Sequence, residues 1–455
     1  MSLRVRMSFF LLVGVLGTVR SAQPTCSVAS QPGARGDNRT LNTAAFRAAA
    51  AACCGLGRRG ARSVVLVPAG VWLTGAFNLS SFMELRLERG ATITAVMTEE
   101  RREYPALPPF PSYGACRETG NDIQPPAGYT TRSQALISAF SADDVAIIGA
   151  GSQHVSASVI DGQGCWWWKR YLEHDLKRCR PQLINFISST QIEVRGVTLR
   201  NPAYWNLHLF NSTGAHIHDG RSESIKQGAA VPCAAASEHV FAVNSDGIDI
   251  DSSSDVLVEK MFIAADDDAV AIKSGMQAAG EQFGVPSRNV TVRDSILLAH
   301  GFAVGSECSG GCEDIVLQHS VVSDMNGSSP FLLIIKSAPG RRGYIRNVLL
   351  QNVTGGRMAD PDKPSDGIGF RFDLESSGTI TENITLQDVH IAATSGLAGR
   401  LYGDSITGGV KGLLLNNVTV AESQGGWVCK NVHPVFQNVT PAPDIQGGCL
   451  QPDRE

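Results

Sequence analysis

Seven aspartates crowd the stretch NSDGIDIDSSSDVLVEKMFIAADDDAVAIKSG, which runs from Asn244 to Gly275. Asp246 and the run Asp266, Asp267, Asp268 interrupt short apolar strings. Side chains alternate across a strand, and parallel neighbours lie about 4.8 Å apart. The spacing of 21 residues from Asp246 to Asp267 is close to one short coil of a stacked-strand column. It predicts that the two stand one above the other on adjacent rungs, on one exposed face, with Asp268 turned aside by a local bend. Carboxylates that close repel, so one pKa rises and another falls. That is a pattern for acid/base work, with one protonated acid for a leaving oxygen and one ionised base for water. Two plainer readings stay open on the residues alone. Aspartates cap backbone groups at strand ends, the role expected for Asp249, Asp251, Asp255 and Asp266. Clustered carboxylates also suit calcium.

The elements that must hold these residues recur along the chain. ADDVAIIGA, SSDVLVEKMFIAA, SRNVTVRDSILLA and IRNVLLQNVTG share one shape. A polar pair leads into a short alternating strand, a small or polar residue breaks it, and a second short strand follows. Such repeats cannot bury an apolar face singly, but stacked they form a continuous column. The irregular spacing and the short strands favour an all-β, single-stranded right-handed parallel β-helix over a leucine-rich repeat with its asparagine ladder or a propeller. The alanine-rich run from Thr43 to Cys53 predicts a helix capping the first rung, whose edge would otherwise be open. Residues 101–130 and 218–240 read as loops on the column.

Lysine and arginine total 39 against 43 acids, and no basic stripe suggests nucleic acid. The start, with Arg4, Arg6 and an apolar run from Phe9 to Leu16, reads as a signal peptide over 1–21. Residues 22–455 are then one β-helix domain of a secreted, extracellular or cell-wall chain with no membrane span, expected to be a monomer. Eleven cysteines fit an oxidising compartment. Cys308 and Cys312 are close enough to close a small loop, whereas the adjacent Cys53 and Cys54 call for distant partners. An odd total leaves room for a free thiol. Nine Asn-x-Ser/Thr sequons, at Asn38, Asn78, Asn211, Asn289, Asn326, Asn352, Asn383, Asn417 and Asn438, are candidate glycan acceptors.

Four motifs in order resemble the polygalacturonases, glycoside hydrolase family 28. The family's Asn-x-Asp, Gly-Asp-Asp, Gly-His-Gly and Arg-Ile-Lys stand here as NSD at 244–246, DDD at 266–268, AHG at 299–301 and IIK at 334–336. SDGIDID, AVAIKSG, VGSECSGG and an early GARGD strengthen the likeness, and DGQGCWWW resembles the family's DGxGxxWW. The resemblance implies a parallel β-helix that hydrolyses α-1,4 bonds of pectic polygalacturonate with inversion and needs no metal or other cofactor. It makes Asp267 the general acid, Asp246 and Asp268 the pair that activates water, and His300 a partner of a catalytic acid. Asn244, Lys336, Lys273 and His208 are candidate substrate contacts. Ile334 replaces the family's arginine and cannot fork onto a uronate carboxylate. Arg341 and Arg342 are the candidates to reach back to that place. The departure keeps open another pectic polymer such as rhamnogalacturonan, or a weak or inactive pectin-binding β-helix. A lyase on the same column would want calcium and a strong base. Trp166, Trp167 and Trp168 are either sugar platforms or core. The length of Arg221–Val240 suggests a wall at one end of the cleft and attack from a chain end.

Overall fold

The computed structural model describes residues 23–116, 129–224, 242–323, 331–359, 367–444 and 448–449. The proposed signal peptide, most of the 218–240 loop and the Asn326 sequon lie outside them.

The chain winds as a column of parallel coils. One face is an 11-stranded sheet, and the remaining faces form a 21-stranded sheet. The strands of the 11-stranded sheet are β1 (Phe77–Leu79), β2 (Ile137–Phe140), β3 (Ile184–Ile187), β4 (Leu207–Phe210), β5 (Ile248–Asp251), β6 (Val270–Lys273), β7 (Phe302–Val304), β8 (Leu333–Lys336), β9 (Phe370–Asp373), β10 (Leu397–Tyr402) and β11 (Gly425–Lys430), stacked in that order. Parallel connections of this kind are right-handed almost without exception. The period-2 pattern decides which residues fill the column. Leu207, Ile248, Val270, Phe302, Leu333 and Phe370 are in register and fully buried. Leu209, Ile250, Ile272, Val304, Ile335 and Phe372 form a second inward row, also fully buried.

The expected cap is present as helix α1 (Thr43–Cys53). Its apolar face buries Ala45, Phe46, Ala49, Ala50 and Cys53, and Phe46 meets Phe77 of β1 with ring centroids 4.8 Å apart. A Cys26–Cys53 disulfide ties the helix to the first coil. Cys308–Cys312 closes the small loop expected, and Cys54 is free and exposed. DGQGCWWW forms no β-helix turn. It enters helix α2 (Gly164–Leu172), where Trp167 and Trp168 are fully buried, so that pair is core.

Two features differ from the sequence expectation. Toward the C-terminus the short strand pairs merge into long bent strands, Tyr344–Met358, Ile380–Thr394 and Val410–Glu422. The bends are left-handed asparagines and aspartates, which tolerate positive φ because their short polar side chains bond locally. These corners also build asparagine ladders, the feature the sequence reading reserved for leucine-rich repeats. Asn347 Nδ2 donates to Asp314 Oδ1 at 2.8 Å and Asn383 Nδ2 donates to Asn347 Oδ1 at 3.2 Å. Asn417 Nδ2 donates to Asp388 Oδ1 at 2.7 Å and Asn438 Nδ2 to Asn417 Oδ1 at 2.9 Å. The sequons at Asn289, Asn352, Asn383, Asn417 and Asn438 are such corners, with φ from 51° to 56°. Their Asn-x-Thr pattern thus has a structural origin: a corner asparagine followed by an alternating strand.

A test follows from Asn347, which is no sequon and has φ of 56°. Asn347→Ala forfeits a left-handed preference worth about 1–2 kcal/mol and ladder bonds worth about 1 kcal/mol. The melting temperature should fall by several degrees. Asn347→Gly should regain the backbone share, and equal melting of both variants would refute the corner argument.

Candidate active site

The acids sit where coils turn into the 11-stranded sheet. Asp246 lies two residues ahead of β5, Asp268 two ahead of β6, and His300 two ahead of β7. Ile248 pairs with Val270, so the rung above Asp246 carries Asp268 rather than Asp267. The sequence expectation was out by one residue. The Gly247 N–H donates to the Asp268 carbonyl at 2.9 Å and fixes this register. Asp267 is instead turned to the rim. Its Oδ1 accepts the Asp268 N–H at 2.9 Å, and its carbonyl accepts the His300 N–H at 3.0 Å. Gly301, at φ +74°, lets the chain bend sharply after His300, since a Cβ there would lie 2.3 Å from the Phe331 carbonyl oxygen.

The site has two levels. At the rim, Asp267 and His300 keep 27% and 33% side-chain exposure, with Nδ1 of His300 3.6 Å from Asp267 Oδ1. Lys336 is there too, 27% exposed, and its Nζ donates to Asp268 Oδ2 at 2.8 Å. Beneath, Asp246, Asp249, Asp268, Lys273 and Glu307 are all at most 3% exposed. Lys273 Nζ lies 3.5 Å from Asp246, 3.3 Å from Asp249 and 3.6 Å from Glu307. It also lies 4.5 Å from the Trp205 ring centroid. Arg341 Nη1 stands 3.4 Å from Glu307.

Burial and charge drive these groups apart. Burial pushes the Asp246 carboxyl up to about 7, reinforced by Asp267 and opposed by Lys273. Burial, with the Asp246 charge beside it, raises Asp249 well above the carboxylate range. Burial also raises Asp268, against the opposing charge of Lys336. Asp267 goes the other way. Burial would raise it, but the hydrogen bond and positive charge of His300 outweigh that and lower it. Burial is likewise overcome at Glu307, which Lys273 and Arg341 hold down at about 2. In the free protein the buried carboxyls therefore hold a proton more readily than Asp267, the ionised acid of the rim beside His300.

Several sequence expectations change here. His208, expected in the cleft, is sealed off at 0% exposure under Phe110 and Trp205, with Nε2 3.4 Å from Asp251 Oδ2. Burial lowers its pKa. Asp251 is no strand-end cap: it accepts the Tyr113 hydroxyl at 2.7 Å. Asp249 is no cap either, but a member of the buried charge cluster. Asp255 caps no backbone group among the described residues: on the surface it accepts Asn289 Nδ2 at 2.6 Å. Lys273 is too deeply buried for sugar contact and acts as counter-ion to the acids. Asn244 is held by Arg180, whose Nη2 donates to its Oδ1 at 3.2 Å. Arg341 is committed to Glu307, and Arg342, 69% exposed, turns toward Glu281 at 3.7 Å, so neither fills the place of Ile334. Glu307 lies inside VGSECSGG, which carried part of the family likeness but was given no role, and Arg180 went unseen in the sequence.

Asp267, Asp268 and His300 offer ligand atoms within 4.8 Å of one another, a spacing a metal ion can also span. Lys336, bonded to Asp268, already supplies positive charge there.

The comparisons with known proteins agree with this geometry. The model of the glycosyl hydrolases family 28 matches residues 64–441. The chain belongs to that family. It is 31% identical over 424 residues to a probable polygalacturonase of Vitis vinifera, covering 90% of this chain and 78% of the relative. An exo-poly-alpha-D-galacturonosidase of Dickeya chrysanthemi is 25% identical over 382 residues, covering 74% of this chain and 56% of the relative. Among solved structures, a hyperthermoactive exopolygalacturonase from Thermotoga maritima superposes with a TM-score of 0.70 at 21% identity, over 91% of both chains. The family 28 chain is thus an enzyme, a glycoside hydrolase on a parallel β-helix. Among the described residues no helix is long and apolar enough to cross a membrane.

Proposed function

We propose that this family 28 chain hydrolyses α-1,4-galacturonosyl bonds of pectic polymers by single displacement with inversion, as a secreted monomer. The observation that carries the reading is the two-level carboxylate site: Asp267 and His300 at the rim, Asp246 and Asp268 beneath. Asp267 donates a proton to the glycosidic oxygen. His300, whose Nδ1 stands 3.6 Å from Asp267 Oδ1, hands a proton to Asp267 when a bound sugar covers that carboxylate and disfavours its charge. Asp246 and Asp268 act as a pair carrying one negative charge, with Lys336 favouring ionisation of Asp268. The pair takes the proton of the attacking water. After one turnover a proton returns from the pair to Asp267 and His300, and the cycle balances. Of the long segment that suggests an exo mode, Arg221–Glu223 is a strand of the column and residues 225–240 fall outside the described residues. The names of the Dickeya and Thermotoga relatives favour that mode.

A second reading, a pectic polymer with an uncharged sugar beside the site, rests on one observation. Ile334 packs with Ala271, Ala303 and Phe331 in a small apolar cluster on the outer face.

The deciding measurement is product analysis on polygalacturonate and on rhamnogalacturonan. Hydrolysis yields new reducing ends without the absorbance of unsaturated uronides, and a lyase yields that absorbance. The pH profile should be bell-shaped and centred below neutrality. Its upper limb falls as the Asp267–His300 couple loses the proton that the leaving oxygen needs. Its lower limb falls as the Asp246–Asp268 pair, both raised by burial, takes up its second proton and can no longer accept one from water. Chelator should leave the rate unchanged. A rate rising toward pH 9, or lost in EDTA and restored by calcium, would exclude this mechanism.

A further inference from the structure

The place left by Ile334 has an occupant one rung further on. The outward row of the 11-stranded sheet runs Asp249, Ala271, Ala303, Ile334, Arg371, Arg400 through β5 to β10, residue on residue. Phe370 and Phe372, on either side of Arg371, are fully buried, so the alternation of β9 sends Arg371 to the face that carries the catalytic groups. Ala271, Ala303 and Ile334, between the acids and Arg371, form a small buried apolar cluster with Phe331 and carry no charge.

Arg371 is also held ready for an anion. Its Nε donates to Asp373 Oδ2 at 2.6 Å, and Arg400 Nη2 donates to Asp373 Oδ1 at 2.8 Å. One carboxylate thus serves two guanidiniums, which leaves an excess positive charge at this spot. Arg371 keeps 26% side-chain exposure. Among the described residues no partner is recorded for its two terminal nitrogens. A guanidinium anchored through Nε presents its other edge as a fork, the geometry that carboxylates accept bidentately. Lys336 stands in register with Asp373 on the neighbouring strand, so the carboxylate that anchors Arg371 lies one rung from the rim.

The geometry points to Arg371 as the reader of a uronate carboxylate bound one rung beyond Ile334, with Asp373 and Arg400 as the groups that position it. The inference rests on the galacturonan reading above. It places the charged subsite one rung further from the acids and gives the Ile334 rung to the apolar face of a sugar. The site would favour polymers whose acidic sugar sits at that distance, including chains where the nearer sugar is uncharged.

The test separates binding from turnover. In the Asp267→Asn background, Kd is measured for a galacturonate hexamer and for its full methyl ester, with and without Arg371→Gln or Arg371→Lys. Arg371→Gln should weaken the acid hexamer about tenfold or more, from the usual worth of a hydrogen bond to a charged group. Arg371→Lys should lose less, and the methyl ester should bind all three alike. Asp373 keeps Arg400 in these variants, and melting curves check that the fold persists. Equal Kd values for the acid hexamer, or equal losses for acid and ester, would overturn the carboxylate role while leaving the galacturonan reading intact. No binding of the acid hexamer by the Asp267→Asn parent would overturn both.

Discussion

Asp267→Asn should lower turnover on polygalacturonate about 10²- to 10⁴-fold, the usual weight of one general acid, while substrate affinity is largely kept. Asparagine preserves the shape and the acceptor for the Asp268 N–H, which Asp267 Oδ1 accepts at 2.9 Å. It removes the group that protonates the leaving oxygen. The free-protein electrostatics give this experiment a second edge, because there Asp267 is the ionised carboxylate and Asp246 holds a proton. Taken alone, that distribution would suit a base at Asp267. The leaving group separates the roles. On a dinitrophenyl galacturonide, whose leaving oxygen needs no proton, the loss from Asp267→Asn should shrink to within about tenfold if Asp267 is the acid. An undiminished loss on that substrate would move Asp267 to the water side and hand proton donation to Asp246. Wild-type rates on both substrates would remove it from the mechanism.

What the sequence made legible, and what it hid, divides along the range of the interactions. The α1 helix was readable to its ends because an alanine run without proline is a local signal. The column was readable because every rung repeats the same short phrase. The candidate acids could be singled out from type and order, yet their stacking could not. A coil of 21 residues and one of 22 look alike in a sequence, and only the Ile248–Val270 pairing decides which aspartate stands over Asp246. Asp249 and His208 were misplaced for a related reason. Both occupy outward positions of alternating strands, which normally face water. Here the outer face is covered: the segment around Phe110 and Tyr113 lies over His208 and Asp251, and Lys273 fills the space against Asp249. The Tyr113–Asp251 part of that cover joins residues 138 apart in sequence. Arg371 was invisible because a register neighbour leaves no motif. The missing arginine of the fourth motif was sought in the next few residues along the chain, whereas the column offers a substitute in the next rung.

The largest stability effect should come from Lys273→Met. Methionine matches the length and apolar stem of lysine, so the packing against Trp205 is retained and the charge alone is lost. That charge faces three acids buried to 2% exposure or less, offsetting ionised Glu307 outright and Asp246 and Asp249, raised by burial, as they lose their protons. Breaking a buried ion pair from one side costs about 3–5 kcal/mol, because the remaining charge is left uncompensated. Arg341 still reaches Glu307, which bounds the loss there, but Asp246 and Asp249 have no such second partner at ion-pair distance among the described residues. The deficit should depend on pH with a definite sign. Glu307 is depressed to about 2 in the folded protein, so its contribution is present above its ordinary value and lost as pH falls toward 2. Without Lys273 the carboxyl titrates higher, and protonation relieves the folded variant earlier than the native chain. Melting curves at pH 7 should therefore show a fall on the order of 5–10 °C, and the gap should narrow at pH 4. Raising the pH should hurt the variant further, since Asp246, already lifted to about 7, must ionise with no cation below it. A variant that melts within a degree of the native chain at pH 7, or with the same deficit at both pH values, would mean the three acids are protonated already and Lys273 is not what holds the lower level of the site together.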